Sequence, residues 1–264
     1  AGGIIAFASA SQAQVETIIF SPFADTTALT LPLGGTGTSV DITARSSVLE
    51  SEAFVIITPS SVGIDDPGGI TSKDLSKRGG VGVRSFDGNK FGGSGGISGK
   101  GGAKDEELIF TFDLGGVSAS SLKITITDLQ IGSSLDDGDD PVIFVRDVLG
   151  NNFVFSELNG VTDTGIAPPG SNIGILPGLS VATTDLAGNA FASGVKDPYN
   201  VNFGDFNYGA GVDPATVAIR EVRVREVGDH IFVNGIQAAP IPEPSSAALI
   251  GLSMALPLLR RRRR

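Results

Sequence analysis

The sequence contains no cysteine and no tryptophan, and only one methionine, one histidine and two tyrosines. Without cysteine there is no disulfide framework, no thiol nucleophile, no iron–sulfur cluster and no cysteine-based zinc site. With His230 as the single imidazole, multi-histidine metal centres are excluded too. Charged residues are scarce at 18%, and the formal net charge is −10. That figure understates the acidity of the body. Without Arg260–Arg264 and Glu243, 14 Lys+Arg face 28 Asp+Glu, a formal charge of about −14. Such a surface repels a phosphate backbone, so nucleic acid is not an expected partner.

Glycine is plentiful, with 37 residues, and apolar residues make up 41% of the 264. That length and apolar content suffice for a sizeable core. Glycine-rich turns between runs of Val, Ile, Thr and Phe predict an all-β fold, a β-sandwich rather than a helical bundle. Leu108, Phe110, Phe112 and Leu114 alternate with Ile109, Thr111 and Asp113; Leu122, Ile124 and Ile126 alternate with Lys123, Thr125 and Thr127. Both are the period of a strand. Val222 and Val224 alternate with Arg223 and Arg225, and the phase slips by one at Ile219, which predicts a bulge near Arg220-Glu221. Further strands are expected at Thr17–Phe20, Val40–Ala44, Phe54–Thr58, Val142–Val145, Phe153–Phe155, Val201–Phe206 and Ile231–Ile236. Residues 79–102, with 11 Gly in 24, read as a flexible loop. Val161–Ser180, rich in Gly and Pro, could divide the body, but one sandwich with a long loop is the simpler expectation.

The two ends differ from the body. Residues 1–13 resemble the later part of a signal peptide: an apolar run ending in Ala8-Ser9-Ala10 and Ser11-Gln12-Ala13, both small-residue cleavage patterns. The body is then expected over 14–239 and a terminal segment over 240–264. In that segment Pro242-Glu243-Pro244 precedes an apolar stretch, Ala247–Leu259, and the chain closes on Arg260, Arg261, Arg262, Arg263 and Arg264. This stretch of 13 residues would span roughly 20 Å as a helix. That is short of the ~20 residues of an ordinary transmembrane helix. The arginines would hold the end on the cytoplasmic side.

This three-part tail closely resembles the PEP-CTERM sorting signal of Gram-negative bacteria. The resemblance implies a single C-terminal hydrophobic helix, transient anchoring in the inner membrane by the secretion machinery, and recognition and cleavage by an exosortase near Pro242–Pro244. Delivery to the cell surface or an exopolysaccharide matrix would follow. The order Gly80-Val81-Gly82-Val83, a Gly-rich stretch, then Glu106–Asp113 is similar to the jelly-roll-like bodies that such tails often carry.

Candidate sites in the body are few. Asp136, Asp137, Asp139 and Asp140 surround Gly138 between two strands, and clustered carboxylates on a turn could hold a structural calcium, although the spacing is not that of an EF-hand. A solvated acidic turn is the plainer reading, and no other cofactor is expected. Tyr199 and Tyr208, beside Phe203 and Phe206, could stack on sugar rings. Gly92-Gly93-Ser94-Gly95-Gly96 satisfies the G-x-S-x-G pattern only formally, since no helix is expected after Ser94. His230 reads as a turn residue before the last strand. No catalytic residue is named by the sequence. The expected role is a non-enzymatic structural or adhesive surface protein; the alternative is a carbohydrate-binding module or a glycan-active lyase or hydrolase on the same scaffold.

Overall fold

The computed structural model describes residues 14–33, 38–49, 67–71, 79–86, 91–92, 97–98, 104–113, 115–129, 141–156, 172–175, 180–226 and 230–241. The chain is all-β. In chain order the strands are β1 (Glu16–Ile19), β2 (Ala28–Leu33), β3 (Thr38–Leu49), β4 (Pro67–Thr71), β5 (Gly82–Phe86), β6 (Phe91–Gly92), β7 (Ile97–Ser98), β8 (Lys104–Phe112) and β9 (Val117–Ser118). They continue with β10 (Lys123–Thr127), β11 (Pro141–Asp147), β12 (Asn152–Ser156), β13 (Asn172–Ile175), β14 (Ser180–Val181), β15 (Tyr199–Asn202), β16 (Ala218–Glu226) and β17 (His230–Ala238). Among the described residues the helical elements are three single 3-10 turns, Ala119–Ser121, Phe203–Asp205 and Pro214–Thr216. Among the same residues no helix is long and apolar enough to cross a membrane.

Two sheets form. The smaller runs β1-β17-β10-β15-β14, with β7 added beside β17; the larger runs β13-β12-β11-β16-β8-β3-β4-β5-β6, with β2 beside β3 and β9 beside β16. Pairing is antiparallel throughout except between β12 and β13, which are parallel. One apolar cluster draws on both sheets: Ile42, Phe110, Ile143, Phe155 and Val224 come from the larger, Ile124, Val201, Val233 and Ile236 from the smaller. Each large side chain fully buried there contributes roughly 1.5–3 kcal/mol. The alternation seen in the sequence is therefore the inward face of each strand, and the fold is sandwich-like.

The predicted bulge is present. Arg146 lies opposite Glu221 and Asp147 opposite Ile219, which leaves Arg220 as the extra residue on β16. Val222 and Val224 thereby keep their inward phase although Ile219 is also buried.

Two expectations are corrected. The segment 79–102 is not simply a loop: it carries β5, β6 and β7, and Val81, Val83 and Ile97 are fully buried. Glycine is needed within it for close packing. A Cβ on Gly80 would lie 2.6 Å from the Cβ of Phe232 and 2.9 Å from the Val233 carbonyl, so only glycine lets this backbone reach β17. Second, the strand expected over Val201–Phe206 stops at Asn202. The Asn202 side chain accepts from the Gly204 N–H and turns the chain into the 3-10 turn. Arg223 and Arg225, which alternate with the inward valines of β16, are themselves only 3% and 1% exposed. They lie flat on neighbouring strands instead of reaching into solvent. The strand expected at 54–58, Ser94 and the terminal segment 247–259 lie outside the described residues.

Candidate functional site

Two arrangements of side chains stand out, one on the outer face of the larger sheet and one at its end.

The register of β3, β8 and β16 sets Arg45 opposite Glu107 and Glu107 opposite Arg225. The Glu107 carboxylate is fully buried. Its Oε2 accepts from Arg225 Nη2 at 2.6 Å and Nε at 3.1 Å. Its Oε1 accepts from Arg223 Nη1 at 3.4 Å and lies 3.8 Å from Arg45 Nη1. Arg223 also donates through Nε to Glu221 at 2.6 Å, and the Arg225 guanidinium carbon stands 4.8 Å from the centre of the Phe144 ring. A buried charge needs this many partners, because desolvation otherwise outweighs the attraction of a single pair. With both oxygens engaged, Glu107 fastens three adjacent strands together.

The second arrangement is a cavity of about 380 Å³ at the end of the larger sheet. The β11–β12 hairpin closes there through a turn held at every point: Asp147 Oδ1 accepts from the Asn151 N–H at 2.8 Å, and Oδ2 from Asn151 Nδ2 at 2.6 Å. The Gly150 N–H donates to the Asp147 carbonyl, with Gly150 at φ +89°. This turn displays Val148 and Leu149, which are 37% and 83% exposed. Across the cavity the Gly209–Val212 turn displays Val212, 43% exposed. Buried Phe153 and Tyr208 form the inner wall. The surface offered is mainly apolar, suited to aliphatic contact rather than to proton or group transfer.

Tyr208 belongs to the core, not to a sugar platform. It is 3% exposed, its ring meets Phe153 edge-on at 5.0 Å between centroids, and its hydroxyl donates to the Phe203 carbonyl at 3.1 Å. Burial raises its phenol pKa well above the usual value. So little of the ring is accessible that the stacking role expected for Tyr208 is withdrawn. Tyr199 is half-buried on β15 and packs against the same core. His230 begins β17, paired with Ser98. Asp136, Asp137, Asp139 and Asp140 lie outside the described residues, as do Pro242, Glu243, Pro244 and Arg260–Arg264. Among the described residues no group of three or more carboxylates or imidazoles could hold a metal ion.

Sequence reasoning passed over Val148, Leu149 and Val212. A signal was present: apolar residues set directly into the turn sequences Asp147-Val148-Leu149-Gly150-Asn151 and Gly209-Ala210-Gly211-Val212-Asp213, where polar residues are the rule. No protein-family model, curated protein or solved structure matches the chain.

Proposed function

We propose that the chain is an exported surface or matrix protein, a structural or adhesive β-sandwich of jelly-roll type delivered by its terminal segment. In this reading Pro242-Glu243-Pro244 is the sorting site for an exosortase, Ala247–Leu259 a single hydrophobic helix, and Arg260–Arg264 its cytoplasmic stop. The observation that carries it is the pairing of β1 with β17, which sets Glu16 opposite Ala238. The beginning and the end of the folded body therefore leave at one pole. Beyond Ala238 the chain is tied down: the Ala239 N–H donates to Ser121 Oγ and the Ile241 N–H to the Gly116 carbonyl, immediately before Pro242. A cleavage site directly after a fastened strand can be cut without opening the sandwich.

Fractionation of a Gram-negative host with an exosortase tests the reading, comparing the full chain with one ending at Ile241. The full chain is expected at the surface or in the medium and the shortened chain in the periplasm. Equal distribution of the two contradicts it.

A further inference from the structure

The exposed large apolar side chains among the described residues are Val15, Val148, Leu149, Val181 and Val212. All but Val181 lie at the pole from which the terminal segment leaves. The hydrogen-bond ladder shows this. Pro240 bridges to Val117, Val117 pairs with Ile219, and the Val148 N–H donates to the Ala218 carbonyl. Two strand spacings, about 10 Å, separate Pro240 from Ile219. Val148 and Leu149 stand one strand beyond that. Val15 directly precedes the strand whose Glu16 faces Ala238.

We infer that this pole rests on the lipid surface while residues 242–264 hold the body there, with Leu149, Val148 and Val212 as the contacting side chains. The inference rests on reading that segment as an anchor. The argument is one of geometry and effective concentration. Three apolar side chains bind a bilayer weakly alone, but a tether leaving a few residues away raises their effective concentration to the millimolar range. Charge does not supply the attraction: beside Arg220, the exposed charged side chains at this pole include three carboxylates. They are also occupied: Asp113 accepts from the Ser39 N–H, Asp205 from Asn202 Nδ2, and Asp213 from the Ala215 N–H. The closed turn of Asp147–Asn151 fixes Leu149 outward, so it cannot fold back into the core when the lipid is absent.

The absence of tryptophan makes the test direct. Leu149→Trp in the full chain gives a single indole at the pole, and Val212→Trp a second probe. Ala190→Trp reports the other pole. It sits exposed in the 183–197 loop, whose Lys196 carbonyl meets Asp128 beyond the far end of β10. Each variant is reconstituted in phosphatidylcholine vesicles, floated, and titrated with brominated phosphatidylcholine. The expected result is blue-shifted emission for Trp at 149 and 212 that is quenched by the brominated lipid, with Ala190→Trp unquenched. Protein that floats with the vesicles while all three probes stay unquenched overturns the inference and leaves the anchor intact. Protein that does not float overturns both, and the flotation step tells the two failures apart.

Discussion

Glu107 on β8 and Arg225 on β16 stand directly opposite one another, and the guanidinium holds one carboxylate oxygen through two donors, at 2.6 and 3.1 Å. Both side chains are 2% exposed or less. Removing the charge leaves a buried cation short of its main partner, and breaking such a pair from one side costs about 3–5 kcal/mol. Glu107→Gln is therefore expected to lower the melting temperature by roughly 10 °C for a chain of this size. Thermal denaturation followed by circular dichroism checks it, and a shift of a degree or two would show that the network is dispensable.

The alternation of Val222 and Val224 with Arg223 and Arg225 told which residues share a face of β16, and the slip at Ile219 located the bulge at Arg220. It could not tell that the arginine face would be buried. Periodicity reports the side of a sheet on which a residue lies, and burial depends on partners from β3, β8 and β11, all distant in sequence. The glycine-rich segment was misread for a related reason. Its entropy cost is local and visible, whereas the gain from seating Val81 and Ile97 against β17 is not. The cavity was legible only as apolar residues in turns, a signal that gains meaning once two such turns are seen to meet.

Tyr208 gives a pH prediction. Burial raises its pKa above the ordinary value of about 10, so the folded state keeps a proton that the unfolded state loses. Its contribution to stability is fully present below pH ~10 and is lost as the pH climbs towards the folded-state value. Tyr208→Phe should cost about 1 kcal/mol at neutral pH through the lost bond to the Phe203 carbonyl. It should also flatten the alkaline limb by up to 1.4 kcal/mol per pH unit. Urea denaturation of both forms between pH 7 and 11 measures this. Parallel curves across that range would contradict it.

Two glycines separate backbone strain from crowding. Gly116 and Gly150 both have positive φ, +68° and +89°. A Cβ on Gly116 would fall 2.6 Å from the Ile219 carbonyl oxygen and 2.9 Å from Val148 Cγ1, while one on Gly150 meets nothing within 4 Å. Gly150→Ala is expected to cost only the left-handed strain, about 1–2 kcal/mol. Gly116→Ala should cost clearly more, because β9 must move away from β16 and take the Val117–Pro240 bridge with it. Denaturant midpoints of the two variants check the order, and equal losses would mean that the contact at Gly116 relaxes freely.

The central claim is that the body is released by cutting the terminal segment where it leaves the β1–β17 pole. Intact-mass spectrometry of the protein recovered from the surface or medium of an exosortase-bearing host, expressing the full chain, tests it most directly. The account predicts a mature chain that ends near Pro242–Pro244 and lacks Arg260–Arg264. A recovered chain that still carries the five arginines would contradict it.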